Sequence, residues 1–171
     1  MRALLLLLVL NTLPLMLVGE AESDKLQREY QKQDDKLARQ SNPIKRAKIL
    51  IKMSQIDMKE VALQVQNGDL AAADEFLKRY IDTIERVRQA LKDSQRNARK
   101  NPSGFKEFEI SLRKQLRQLE DFRSSYSFDQ RELVDKAIQT AQDHQQEMLG
   151  AIFGLDPANL KQEAKQKGPA K

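Results

Sequence analysis

Apolar positions recur at three- and four-residue spacing through most of the chain, which predicts amphipathic helices. After Asn42-Pro43, the residues Ile44, Ala47, Ile51, Met58, Val61 and Val65 fall on one stripe, with Ser54 occupying one slot. Ile49, Leu50, Met53, Ile56 and Leu63 widen that face. Asn42 suits a helix cap, and Pro43 suits the first turn, where its missing N–H would have no partner. Asn67-Gly68-Asp69 predicts a stop and an immediate restart, with Gly as left-handed C-cap and Asp as N-cap. The next stripe is Leu70, Ala73, Leu77, Tyr80, Ile84, Val87, Leu91 and Ala98, thickened by Phe76 and Ile81. Seven-residue repeats on both sides of so short a turn predict an antiparallel helical hairpin.

Asn101-Pro102-Ser103-Gly104 ends that pattern, and a third helix carries Phe105, Phe108, Leu112, Leu116, Leu119 and Phe122. Ser124-Ser125-Tyr126-Ser127 interrupts, and Ser127 with Gln130 reads as a capping box opening a fourth helix. That helix shows Val134, Ala137, Ile138, Ala141, Met148 and Leu149, with Gly150, Gly154 and Asp156-Pro157 closing it. Ile152, Phe153 and Leu155 are expected to fold over the bundle end. Tyr126 and Phe128 flank the Ser-rich break, either as exposed contacts or as a cap on that end. The prediction is an all-α protein: an up-down antiparallel bundle of three to four long helices over 43–157, built on a helical hairpin. Upstream, 22–42 is a polar segment or short docking helix whose thin stripe is Leu26, Tyr30 and Leu37. Downstream, 158–171 has no apolar stripe and reads as a disordered basic tail.

The first residues change the picture. Arg2, the apolar run from Ala3 to Leu10, the break at Pro14 and the small residues Gly19 and Ala21 match a secretory signal peptide over 1–21. Cleavage is expected after Ala21, with Gly19 as the near alternative. An uncleaved anchor is the competing reading; residues 3–18 are short for a span, and Asn11 and Pro14 interrupt them. The expected address is exported, periplasmic or extracellular.

Composition narrows the chemistry. The 171 residues contain no Cys and a single His, excluding a disulfide scaffold, a thiolate zinc site and any His cluster. His144 sits at a seam-type position with Asp143 and Glu147 nearby, and reads as a bundle-edge His with one partner. Adjacent acids such as Asp34-Asp35 and Glu120-Asp121 diverge on a helix, so neither makes a converging carboxylate pair. No nucleotide-binding, hydrolase or metal motif occurs. The expected lists of catalytic residues, metals and cofactors are therefore empty, and an enzyme is not expected.

Charge is more informative. The net charge is +5, of which the tail from 158 supplies +3, so the body is too nearly neutral for a dedicated nucleic-acid binder. Within the body, Lys45, Arg46, Lys48 and Lys52 open the first bundle helix, and Arg86, Arg88, Lys92, Arg96, Arg99 and Lys100 crowd the end of the second. A hairpin brings these groups to one end, joined by Lys106. The other end is expected to gather Asp57, Glu60, Asp69, Asp74, Glu75 and Asp82 with Glu120, Asp121, Asp129, Glu132 and Asp135. Helix dipoles account for Asp69, Asp74 and Glu75 and for Arg96, Arg99 and Lys100 in the second helix, but not for Lys45, Arg46 and Lys48 in a first turn. The candidate binding set is Lys45, Arg46, Lys48, Lys52, Arg88, Lys92, Arg96 and Arg99.

The stretch Asn42-Pro43-Ile44-Lys45-Arg46-Ala47-Lys48, continuing through Met53-Ser54, Met58-Lys59-Glu60 and Gly68-Asp69 to Tyr80, resembles small exported all-helical bacterial proteins of uncharacterised function, over about 42–91. In size, export and helicity the chain is also similar to periplasmic chaperones of the Spy and CpxP type, whose Leu-Thr-x-x-Gln element is missing here. The first functional expectation is an exported binding module that contacts a protein partner or an anionic envelope surface through a basic bundle end. The second is a chaperone-like or structural protein acting as a self-associated helical bundle, such as a homodimer.

Overall fold

The computed structural model describes residues 13–155, with side chains from residue 21 onward. Most of the expected leader and the whole expected tail lie outside the described residues. Five α-helices account for the fold, α1 (Leu13–Ala38), α2 (Pro43–Asn67), α3 (Leu70–Asp93), α4 (Phe105–Arg123) and α5 (Glu132–Phe153), and the described residues contain no strand.

Local chemistry sets the helix ends. Asn42 Oδ1 accepts the Lys45 N–H at 3.1 Å, and Pro43 opens α2. Gly68, at φ 76°, stops α2 in the left-handed conformation that suits glycine. Asp69 Oδ1 then accepts the Ala72 N–H at 2.9 Å and starts α3. Arg46 reaches back to the Leu37 and Gln40 carbonyls at 3.1 and 2.9 Å, tying the start of α2 to the end of α1.

Helix α2 touches α1, α3 and α4, and α5 touches α3 and α4. That central position explains the broad apolar face of α2, where Ala47, Leu50, Met53, Ile56, Met58 and Val61 are all buried. The interior also holds Leu77, Tyr80, Ile84, Phe108, Leu112 and Val134. The polar slot is satisfied in place: Gln115 Nε2 donates to Ser54 Oγ at 2.9 Å, and the Tyr80 hydroxyl donates to Gln115 Oε1 at 3.4 Å. Helix α1 lies on α2 through buried Leu26, Gln33 and Leu37, and Ser23 Oγ donates to Glu60 Oε2 at 3.1 Å.

Four local expectations are corrected. Helix α3 ends at Asp93, so Ala98 is buried from a turn and Arg96, Arg99 and Lys100 lie beyond the helix. Ser94 Oγ bonds back to the Leu91 carbonyl at 2.6 Å, Gln95 takes a positive φ, and Asn97 Oδ1 accepts the Arg99 and Lys100 amides, so local side-chain bonding outcompetes the helix. Ser127 makes no cap hydrogen bond; its Oγ meets Gln130 Oε1, and a 3-10 turn over Phe128–Gln130 precedes α5. Phe153, on the outward side of the last turn of α5, and Leu155, just past the left-handed Gly154 that ends the helix, stay exposed. Gly150 lies inside α5 and does not close it.

Candidate functional site

Gly104 marks where three helix ends meet. It caps α4 at φ 91°, and a Cβ there would come 2.9 Å from Leu91 Cδ2 and 3.3 Å from Ile44 Cδ1. The start of α2, the end of α3 and the start of α4 therefore share one end of the molecule. The end of α5 joins them, since a Cβ on Gly154 would come 2.8 Å from the Arg99 guanidinium.

The eight candidate basic residues divide into two groups. Four are engaged within the fold. Arg46 caps α1, and Lys48 Nζ lies 2.9 Å from Glu107 Oε1, whose other oxygen accepts the Gly104 N–H at 2.6 Å. Arg88 binds the Glu85 carboxylate and stands 3.9 Å from Glu147, and Lys92 Nζ stands 3.3 Å from the same Glu147. The others, Lys45, Lys52, Arg96 and Arg99, are exposed and form no ion pair among the described residues. Lys100 and Lys106 share that state at the same end. Lys52 lies one turn further along α2 than Lys48, away from the end itself.

The opposite end collects acids around the start of α3 and the α4–α5 connection. Asp74, Asp129, Gln130, Glu132 and Leu133 line one cavity there, with Lys78 and Lys136. Glu75 pairs with Lys78 at 2.7 Å and Asp135 with Arg123 at 2.6 Å, whereas Glu120, Asp121, Asp129 and Glu132 form no ion pair among the described residues. Tyr126 is buried against this end, its hydroxyl pushed up in pKa by burial and by the Asp74 charge. Phe128 points outward, 86% exposed.

Two of the expected surface acids are interior, which corrects the acidic set. Asp57 is fully buried; its carboxylate accepts from Arg79 Nε at 2.5 Å and from Thr83 Oγ1 at 3.0 Å. Burial pushes its pKa up to about 6 against the opposing pull of Arg79. The Arg79 guanidinium lies between the rings of Tyr30 and Phe76, 4.1 and 4.8 Å from their centroids. Glu60 is also buried and raised in pKa by desolvation. Asp82 belongs to neither end: it faces Arg86 part-way along α3, at 3.7 Å. The signal for Asp57 was its spacing, four residues after buried Met53 and four before buried Val61.

His144 is buried at the α3–α5 seam, and its partner is Glu85, 2.9 Å from Nε2, across the seam. Desolvation lowers its pKa against the pull of Glu85. Among the described residues, no group of three His, Cys, Asp or Glu is placed to hold a metal ion, and no helix is long and apolar enough to cross a membrane. No family model matches the chain, and comparison with curated proteins and with solved structures likewise finds no match.

Proposed function

We propose that this protein is an exported, non-enzymatic helical module that docks on an anionic surface of a partner through its basic end. The observation carrying the reading is the cluster of exposed Lys45, Arg96, Arg99, Lys100 and Lys106, which form no ion pair among the described residues. A fold that neutralised Lys48, Arg88 and Lys92 with Glu107, Glu85 and Glu147 but left their neighbours open keeps positive charge available for a partner. Export rests on the leader-like pattern of 1–21.

We infer, with it, an up-down arrangement of α2, α3, α4 and α5 in which α1 lies on α2. Ion pairs and hydrogen bonds across the helices support this. Ile44 at the start of α2 and Leu91 at the end of α3 close on the same Gly104, while Asp57 further along α2 meets Arg79 earlier in α3, as antiparallel neighbours would. Lys48–Glu107 and Gln55–Ser111 keep a common stagger, as parallel α2 and α4 would. Arg123–Asp135 and Gln145–Glu109 fit antiparallel α4 and α5.

Titration with poly-glutamate, followed by fluorescence anisotropy across a salt series, tests the docking reading. Binding is expected at low ionic strength and should weaken steeply as salt screens the charges. Lys45→Glu/Arg96→Glu/Lys100→Glu should abolish it, and reversal of Glu120, Asp121 and Asp129 to Lys should not. Binding that ignores salt, or none at low salt, removes the reading.

A further inference from the structure

Part of the charge layout opposes what the helices would choose for themselves. Lys45 and Arg46 lie at the start of α2 and Lys106 at the start of α4, where the helix dipole already leaves positive charge. At the far end Glu120 and Asp121 sit in the last turn of α4, against the negative end of its dipole, with Arg123 after them paired to Asp135. Helix dipoles favour the acids that open α3 and α5, but not Lys45, Arg46 and Lys106 at one end or Glu120 and Asp121 at the other. Neutralisation within one molecule does not account for these either. The 25 residues of α2 put its ends about 37 Å apart, several times the ~10 Å screening length at 0.1 M salt. Each end also exposes large apolar side chains, Phe128 at the acidic end and Phe153 and Leu155 at the basic end, 86%, 62% and 48% exposed.

We propose that copies of this chain associate head to tail, the basic end of one molecule seated on the acidic end of the next. Phe128 of one copy packs against the Phe153–Leu155 surface of its neighbour, and the surrounding charges set orientation. The inference rests on the docking role proposed above for the basic end and names its partner as a second copy. The two surfaces differ, so the contact is heterologous and repeats into open chains unless its rotation closes a ring.

Sedimentation velocity over a concentration series tests this, at about 20 mM and about 500 mM salt. At low salt the weight-average mass should climb severalfold with concentration, and at high salt it should fall back to the monomer. Lys45→Glu/Arg96→Glu/Lys100→Glu makes both ends acidic, and Glu120→Lys/Asp121→Lys/Asp129→Lys makes both ends basic. Each variant alone should stay monomeric. An equimolar mixture should recover assembly, which also shows that both variants are folded. A wild-type protein that is monomeric at low salt, or a mixture that does not assemble, overturns the inference. If that monomer still binds poly-glutamate, the docking role stands and only the self-partner is lost; if it binds nothing, both fall.

Discussion

Asp57 places a carboxylate where α2 should carry an apolar side chain, and its pH response follows from that position. Its pKa is raised from 3.8 to about 6 in the fold, so the folded state binds this proton more tightly than the unfolded chain. The stability it contributes is complete below the unfolded pKa and is lost as pH rises through about 6, a loss of up to about 3 kcal/mol by linkage. Glu60, also raised, acts in the same direction. His144 acts oppositely: its pKa is lowered, so its contribution is present above 6.5 and lost as pH falls through the folded value. Urea unfolding across pH 4 to 8 should therefore show Asp57→Asn flattening the decline on the alkaline side of pH 4, and His144→Gln relieving the acid-side loss. An unchanged profile in Asp57→Asn would contradict the assignment. Glycine positions give a second contrast. Gly68→Ala meets open space and suffers only its left-handed backbone, about 1 kcal/mol. Gly104→Ala adds a collision with Leu91 and Ile44 and should cost about 2–4 kcal/mol, measured by the same unfolding.

At the level of elements, the part of α1 from residue 21 onward is thinly secured. Its described apolar anchors are Leu26 and Leu37 with half-buried Tyr30, whereas α2 and α3 are buried along their length. Amide exchange there should be fastest among the helices, because opening it exposes little apolar surface. Leu37→Ala should accelerate that exchange further, with a loss of about 2–5 kcal/mol in the docking of α1, and should leave α3 amides protected. Charged ends yield a prediction of opposite sign. Lys45→Glu and Asp121→Lys each put a favourable charge against a helix dipole, so each should raise stability by about 0.3–1 kcal/mol, while only Lys45→Glu should weaken poly-glutamate docking. Thermal unfolding read beside the binding assay separates the two effects.

For the whole molecule, apolar periodicity, Asn42-Pro43 and the Asn67-Gly68-Asp69 turn made the all-helical class and the first two bundle helices legible, because each signal is local. The early end of α3 was not legible in the same way: Ala98 keeps the apolar register, yet the side-chain bonds of Ser94 and Asn97 turn the backbone first. The candidate site was half legible. Sequence named the basic residues, and Arg88 takes its partner Glu85 from its own helix, but the carboxylates that engage Lys48 and Lys92 come from residues 59 and 55 positions away, and only folding supplies them.

Helix positions and the caps at Asn42, Gly68 and Asp69 follow from neighbours within a turn or two, where spacing along the chain equals spacing in the molecule. The burial of Asp57, the partner of His144, the choice of which cations stay open and the outward Phe128 were decided by the tertiary structure. Their environments are built from other helices, and the desolvation and Coulomb terms acting on them depend on distances that no local pattern contains.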